Sequence, residues 1–119
     1  MKKYIVYPII FILLFCSCAN KKEYIKEFPY LPQYENLKIT DFEEAKDKNG
    51  LNHSNFSVKN VQFENFLSDY EKILRDHNWK TIDDKKPFSI QVQKDDHFAI
   101  IVITSQQKDK DIKGIIYAK

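Results

Sequence analysis

The sequence predicts an α+β domain in which one long amphipathic helix packs on an antiparallel sheet of about four strands. Two patterns support this prediction. Residues Val61–His77 place apolar side chains at helical spacing, and later segments alternate apolar and polar residues as strands do. The chain has 119 residues, enough for one domain, and its two glycines and four prolines exclude collagen-like and Pro/Gly-rich low-complexity classes.

The predicted helix is the strongest element. Phe66, Tyr70 and Leu74 recur every four residues, and charged side chains occupy the opposite face, so one stripe of the helix is apolar. Asn60 is expected to cap the start of the helix. Asn78 can take the left-handed conformation that ends a helix. An aromatic stripe at this spacing is typical of a core, and we assign it no ligand.

The predicted strands lie mainly after the helix. Phe88–Gln93 alternates as a half-buried strand does, while Phe98–Thr104 is apolar on both faces and is expected inside the sheet. Ile112–Ala118 is the closing strand, with Gly114 at a bulge or close contact. Phe56–Val58 resembles the end of a further strand, and Trp79–Ile82 is an optional short one.

A short helix is predicted before these elements. Thr40-Asp41-Phe42-Glu43 has the spacing of a capping box, with acidic residues in the first turn. Asn49-Gly50 supplies a stop signal. We therefore predict a helix over Asp41–Asp47.

The N-terminus has the features of a secretory signal peptide. Lys2-Lys3 is a positive start, and Tyr4–Phe15 is an apolar run interrupted only by Pro8. The run is shorter than the roughly 20 apolar residues that a transmembrane helix needs. It ends at Phe15-Cys16-Ser17-Cys18, which lacks the small-x-small cleavage site of an ordinary signal peptide.

This ending resembles the lipobox of bacterial lipoproteins: an apolar residue, two small residues and the cysteine that is lipidated. The resemblance implies cleavage between Ser17 and Cys18, and a diacylglyceryl group on Cys18. It also implies an extracytoplasmic protein anchored to the cell membrane or outer membrane. Cys16 fits less well, because Phe15 would occupy a position that requires a small residue. The alternatives are an uncleaved anchor helix, or two cysteines that merely end a signal peptide.

The predicted organisation is a lipoprotein signal peptide (1–17), a lipidated cysteine with a tether (18–36) and a small α+β domain (37–119). Within the tether, Tyr24–Tyr34 is rich in aromatic residues, and Pro29 and Pro32 exclude a helix there. We expect this segment to lie on the domain as an edge segment. The alternative is a strip of prolines and aromatic residues offered to a partner.

Charge and cysteine content exclude several function classes. Without Lys2 and Lys3, the 19 basic residues become 17 and match the 17 acidic ones. A neutral mature chain argues against binding to nucleic acid. After Cys18 there is no cysteine. Disulfides, cysteine nucleophiles and cysteine metal sites are therefore excluded from the predicted domain.

No catalytic, cofactor-binding or metal-binding residue is predicted. His53, His77 and His97 lack metal-ligand spacing. The carboxylate pairs Asp83-Asp84 and Asp95-Asp96 lie in predicted turns. Turns are exposed to solvent and lack the dry pocket that a carboxylate needs for acid–base catalysis. Asp95-Asp96 also lacks the spaced ligands of a calcium loop.

The predicted function is that of a non-catalytic, accessory or binding lipoprotein of the cell envelope. Its partners are the bilayer, through acylated Cys18, and an envelope protein or a second copy. The alternative is a small lipid-tethered enzyme. Because one helix covers one face of a sheet, we expect Ile101 and Ile103 on the other face. That face would be covered by Phe28–Tyr34, by the Asp41–Asp47 helix or by a partner.

Overall fold

The computed structural model describes residues 23–105 and 111–119, which form a mostly-sheet fold with one six-stranded antiparallel sheet. The spatial order is β1-β2-β6-β5-β4-β3. The elements are β1 (Leu37–Glu43), β2 (Asn52–Val58), α1 (Phe63–Asp76), β3 (Lys80–Lys85), β4 (Ser89–Lys94), β5 (His97–Ser105) and β6 (Ile112–Ala118). The predicted class, one long helix on about four strands, is wrong, because the described chain has six strands and a helix of 14 residues.

The predicted helix over Asp41–Asp47 is wrong, because this region contains the end of β1. Leu37–Glu43 pairs with β2, and the register shifts between Thr40 and Glu43. Asp41 takes a positive φ of 54° within this irregularity, and Phe42 packs on the core. Pairing with the next strand along the chain has overridden a capping signal that spans only four residues.

Helix α1 confirms the apolar stripe but shortens the predicted element. Phe66, Leu67, Tyr70 and Leu74 are buried. The residue at the N-cap is Gln62, which makes no side-chain cap hydrogen bond, so the expected cap at Asn60 is wrong. The helix ends before His77.

Three turn and strand predictions are confirmed. Asn78 takes a left-handed φ of 72° directly after the helix. β5 lies between β4 and β6, as expected of an interior strand. A Cβ on Gly114 would lie 2.1 Å from the Val102 carbonyl oxygen and 2.6 Å from the Phe56 ring, which explains why glycine occupies this position. β6 is not an edge strand, however, because it also pairs with β2.

Residues 23–36, here called the strap, are part of the core. Ile25, Phe28 and Leu31 are at most 1% exposed, which confirms that this segment lies on the domain. The strap doubles back through a bridge between Tyr24 and Pro32. The Tyr70 hydroxyl of α1 donates a 2.7 Å hydrogen bond to the Pro32 carbonyl oxygen. The strap is therefore packed beside the helix rather than added to a sheet edge.

The helix and the strap lie on the same face of the sheet, here called the covered face. Their buried side chains form one cluster with Ala99, Ile101 and Ile116. The expectation that Ile101 lies on the face opposite the helix is wrong, since it is 0% exposed in the same cluster as the buried helix residues. Ile103 also packs against this cluster. Strand alternation therefore places residues 98, 100 and 102 on the opposite, open face.

Candidate binding face

The open face carries an apolar strip on the two central strands. β6 contributes Ile115 and Tyr117, and β5 contributes Phe98, Ile100 and Val102. Ile100 pairs with Tyr117, and Val102 pairs with Ile115. All five side chains are half-buried, and none of them packs against the core cluster. These five residues are the central strip.

Uncharged polar residues border the central strip on both sides. The bordering residues on β2 and β4 are His53, Asn55, Ser57, Ser89, Gln91 and Gln93. Over their described lengths, β2, β4, β5 and β6 place a single Lys, Arg, Asp or Glu on this face, namely Lys113. Charged residues make up 30% of the whole chain. An apolar centre, an uncharged surround and a shortage of charge are typical of the core of a protein interface.

Apart from Lys113 on β6, the charged residues of this face lie on the outer strands β1 and β3. On β3, Lys85 Nζ lies 3.7 Å from Asp83 Oδ2, and across β1 and β2, His53 Nε2 lies 3.2 Å from Glu43 Oε2. The exposed Lys85–Asp83 ion pair contributes roughly 0–1 kcal/mol. Charges at the rim of an interface influence orientation and association rate more than affinity.

The size of the open face suits a protein partner. Six strands at about 4.8 Å spacing span about 29 Å, and seven residues of strand extend about 24 Å. The flat area of the face is therefore about 700 Å², close to the roughly 800 Å² that each partner contributes to a standard interface.

On the covered side, a cluster around Glu71 fastens the helix to the β3–β4 hairpin. Lys86 Nζ donates 2.7 Å hydrogen bonds to Glu71 Oε1 and Asp84 Oδ2, and the Thr81 hydroxyl donates to Glu71 Oε2. Burial alone would raise the pKa of Glu71, but the hydrogen bonds from Lys86 and Thr81 outweigh it, and the pKa falls below its ordinary value. Hydrogen bonds to Asp84 and Glu71 raise the pKa of Lys86. Each acid here faces a base, so the cluster stabilises the fold.

Aromatic side chains join the strap to the start of β3 and β5. The Tyr30 ring stacks on the His97 ring at 4.2 Å, and the Trp79 ring lies 6.4 Å from that of His97. Trp79 is only 2% exposed. Burial raises the pKa of Tyr30. This packing closes one end of the core.

A second contact joins the strap to α1. The Tyr34 hydroxyl donates a 3.3 Å hydrogen bond to Asp69 Oδ2. Burial, the charge of Asp69 and that hydrogen bond together raise the pKa of Tyr34 to about 12. Tyr34 therefore stays a neutral donor.

The three histidines lie in separate environments. His53 pairs with Glu43 on the open face. His77 Nδ1 lies 2.8 Å from the carbonyl oxygen of Ile73 in α1, and His97 Nδ1 lies 3.1 Å from the Lys119 carbonyl oxygen. The structure does not bring them together.

The paired carboxylates also separate. Asp83 pairs with Lys85 on the open face, whereas Asp84 accepts from Lys86 beside Glu71. Asp95 lies in the β4–β5 turn with a φ of 54°. Within residues 23–105 and 111–119, no three His, Cys, Asp or Glu side chains lie close enough to hold a metal ion.

The predicted lipidation site, Cys18, and the cleavage site after Ser17 lie outside the described residues. In the part of the chain that is described, no helix has the length and apolar character needed to cross a bilayer.

The sequence contained a signal for the open face that the predictions did not use. On β6, Lys113, Ile115 and Tyr117 alternate onto one face of the sheet, whereas Gly114, Ile116 and Ala118 alternate onto the other. Lysine and tyrosine keep their polar ends in water, so the face on which they lie is the open face.

Comparison with known proteins identifies no relative: no family model matches the chain, and no curated protein or solved structure matches it.

Proposed function

We propose that this chain is a lipid-anchored, extracytoplasmic protein of the bacterial cell envelope, held in the cell membrane or outer membrane. The observation that supports the anchor is the lipobox-like ending Phe15-Cys16-Ser17-Cys18 after an apolar run. Diacylglyceryl supplies two acyl chains, and two chains suffice for stable anchoring, at about 0.8 kcal/mol per buried methylene.

The anchored body acts by binding an envelope protein through the open face, without catalysis. The central strip and its uncharged border support this proposal, because a face exposed only to water would carry charges among its polar residues. The shifted pKa values among the described residues belong to Tyr30, Tyr34 and Tyr70 and to the Glu71 cluster, which hold the fold together.

The size of the face favours a separate, reversibly bound protein over a second copy. Permanent homodimer interfaces bury more surface and are more apolar than standard ones. Here the apolar part is confined to two of six strands. A flat, largely uncharged protein surface is the partner that this chemistry fits.

The anchor is tested by replacing Cys18 with Ser in cells fed labelled fatty acid. We expect loss of the label and loss of membrane fractionation. Cys16→Ser is the matched control and should keep both. A labelled Cys18→Ser protein would contradict the proposed anchor.

The binding face is tested by placing photoreactive benzoylphenylalanine at Tyr117 in the anchored protein. We expect a crosslink to another envelope protein, and loss of that crosslink on Ile100→Asp. The same probe at Phe88, which is 58% exposed at the β3–β4 turn, is the control and should give no such product. A product that persists in Ile100→Asp, or that contains only two copies of this chain, would contradict the proposal.

A further inference from the structure

The described chain begins at one particular end of the molecule. The Gln33 N–H donates a 3.0 Å hydrogen bond to the Glu23 carbonyl oxygen, and the Tyr24 ring lies 5.7 Å from the ring of His77. His77 directly follows α1 and comes shortly before β3. We call this end, with Tyr24, residues 77–80 and the β4–β5 turn, the Trp79 end. The Phe88 end, with the β3–β4 turn, lies at the other end of the strands.

The Trp79 end lies close to Cys18 along the chain. Five peptide units join Cys18 to Glu23, and an extended chain covers at most about 3.6 Å per residue. If Cys18 carries the lipid, as in the proposed function on which this inference rests, the start of the folded body lies within about 18 Å of it. This distance is shorter than the body itself, because nine residues of β5 extend about 30 Å.

The Trp79 end also exposes side chains suited to a lipid surface. Among the described residues, the exposed large apolar side chains are Tyr24 (45%), Ile82 (52%) and Phe88 (58%). Tyr24 belongs to the Trp79 end, and Ile82 lines a shallow depression that extends there. The residues that line this depression are Asn78, Lys80, Ile82, Gln93, Lys94 and Asp95.

The chemistry of these side chains matches the headgroup region. Tyrosine is enriched at membrane–water interfaces, where its ring is buried and its hydroxyl is hydrated. Lys80 and Lys94 can lay their stems along apolar surface and keep their ammonium groups at lipid phosphates. Asp95 in the same depression limits the net charge, so the attachment depends on the lipid and on Tyr24 and Ile82.

We propose that the Trp79 end rests on phospholipid headgroups and that the Phe88 end points away from the bilayer. The strands then stand away from the membrane, and the open face points along it. The helix and strap lie on the opposite face of the sheet, so the described chain starts away from the central strip. The partner surface that can reach the strip is one presented within about 30 Å of the bilayer, the length of the longest strand.

The test uses the lipidated chain in vesicles that contain a headgroup-labelled quencher lipid. After cleavage before Cys18, the mature chain holds no cysteine besides the lipidated one, so single cysteines can carry a fluorophore. Lys94→Cys labels the Trp79 end, and Lys85→Cys is the matched control at the Phe88 end. We expect loss of fluorescence at position 94 and little change at position 85.

Two further variants separate the parts of the proposal. A flexible Gly/Ser insertion between Lys22 and Glu23 should reduce the quenching at position 94, because it removes the limit on distance. The double variant Tyr24→Ser/Ile82→Ser should also reduce the quenching at position 94, because it removes the two apolar side chains that contact the headgroups.

The outcomes distinguish the two levels of the proposal. If the natural chain isolated from cells carries no lipid on Cys18 and does not bind the vesicles, both the anchor and the orientation are overturned. A lipidated, vesicle-bound chain quenched equally at both positions, or more at position 85, would overturn the orientation and leave the anchor standing. Quenching at position 94 that survives both the insertion and the double variant would also overturn it.

Discussion

The covered and open faces of the sheet use similar side chains for opposite purposes. Along β5, Ile101 is 0% exposed beneath the helix and strap, whereas its neighbour Ile100 is half-exposed on the open face. The difference lies in the residues around them. The covered face includes Ala99, Ala118 and Gly114, which let other layers approach closely, while the open face includes a tyrosine, amides and a lysine. Apolar content therefore identifies an interior strand, and small residues identify its packed side.

The sharpest test of this comparison changes two adjacent isoleucines in the same way. Ile101→Asp puts an unpaired charge into the core, which costs several kcal/mol, and we expect an unfolded chain. Ile100→Asp should change the free energy of unfolding by no more than about 1 kcal/mol, since its carboxylate reaches water. Urea unfolding followed by circular dichroism measures both. Equal losses, or the reverse ranking, would contradict the assignment of the faces.

The strap is tested by two phenylalanines of contrasting exposure. Phe28 belongs to the strap and is 0% exposed. Phe28→Ala should lower the free energy of unfolding by about 3–5 kcal/mol. Phe88 is 58% exposed, and Phe88→Ala should stay within about 0.5 kcal/mol. Thermal melts of the soluble chain from residue 19 provide the measurement. A small effect at Phe28 would mean that the strap is a dispensable tether.

These two regions also show what sequence reasoning could predict. The stripe of α1 and the interior position of β5 follow from local periodicity, and both are confirmed. β1 was missed because its evidence lies outside the segment: pairing with β2 favours a strand over Leu37–Glu43 in spite of the left-handed residue Asp41. Periodicity also cannot tell which side of an all-apolar strand is covered, so Ile101 was assigned to the wrong face. The open face as a candidate site was accordingly not predicted residue by residue.

The Glu71 cluster provides a smaller effect that depends on pH. The folded-state pKa of Glu71 lies below its ordinary value, so its contribution is present above the ordinary pKa of about 4.5 and is lost as pH falls through the folded value. Glu71→Gln should lower the free energy of unfolding by about 1–3 kcal/mol at neutral pH. The difference from the unchanged protein should shrink in acid.

The control for this pH dependence is Glu64→Gln, because Glu64 is exposed in the first turn of the same helix. Its melting profile should run parallel to that of the unchanged protein from neutral pH into acid. If Glu71→Gln also gave a parallel profile, the hydrogen bonds from Lys86 and Thr81 would not be stabilising the ionised carboxylate.

The smallest expected effect concerns a polar group on the covered face. Ser54 of β2 is 0% exposed opposite Ile116, and its hydroxyl has no hydrogen-bond partner among the described residues. An unpaired buried hydroxyl costs about 1–3 kcal/mol, and removing it leaves a gap of one atom that offsets part of the gain. We therefore expect Ser54→Ala to leave the free energy of unfolding unchanged or to raise it by up to about 1 kcal/mol. Ser57→Ala, on the open face of the same strand, should have no effect in chemical denaturation. A clear loss at Ser54 alone would mean that the covered face requires this hydroxyl, and that its packing is not purely apolar.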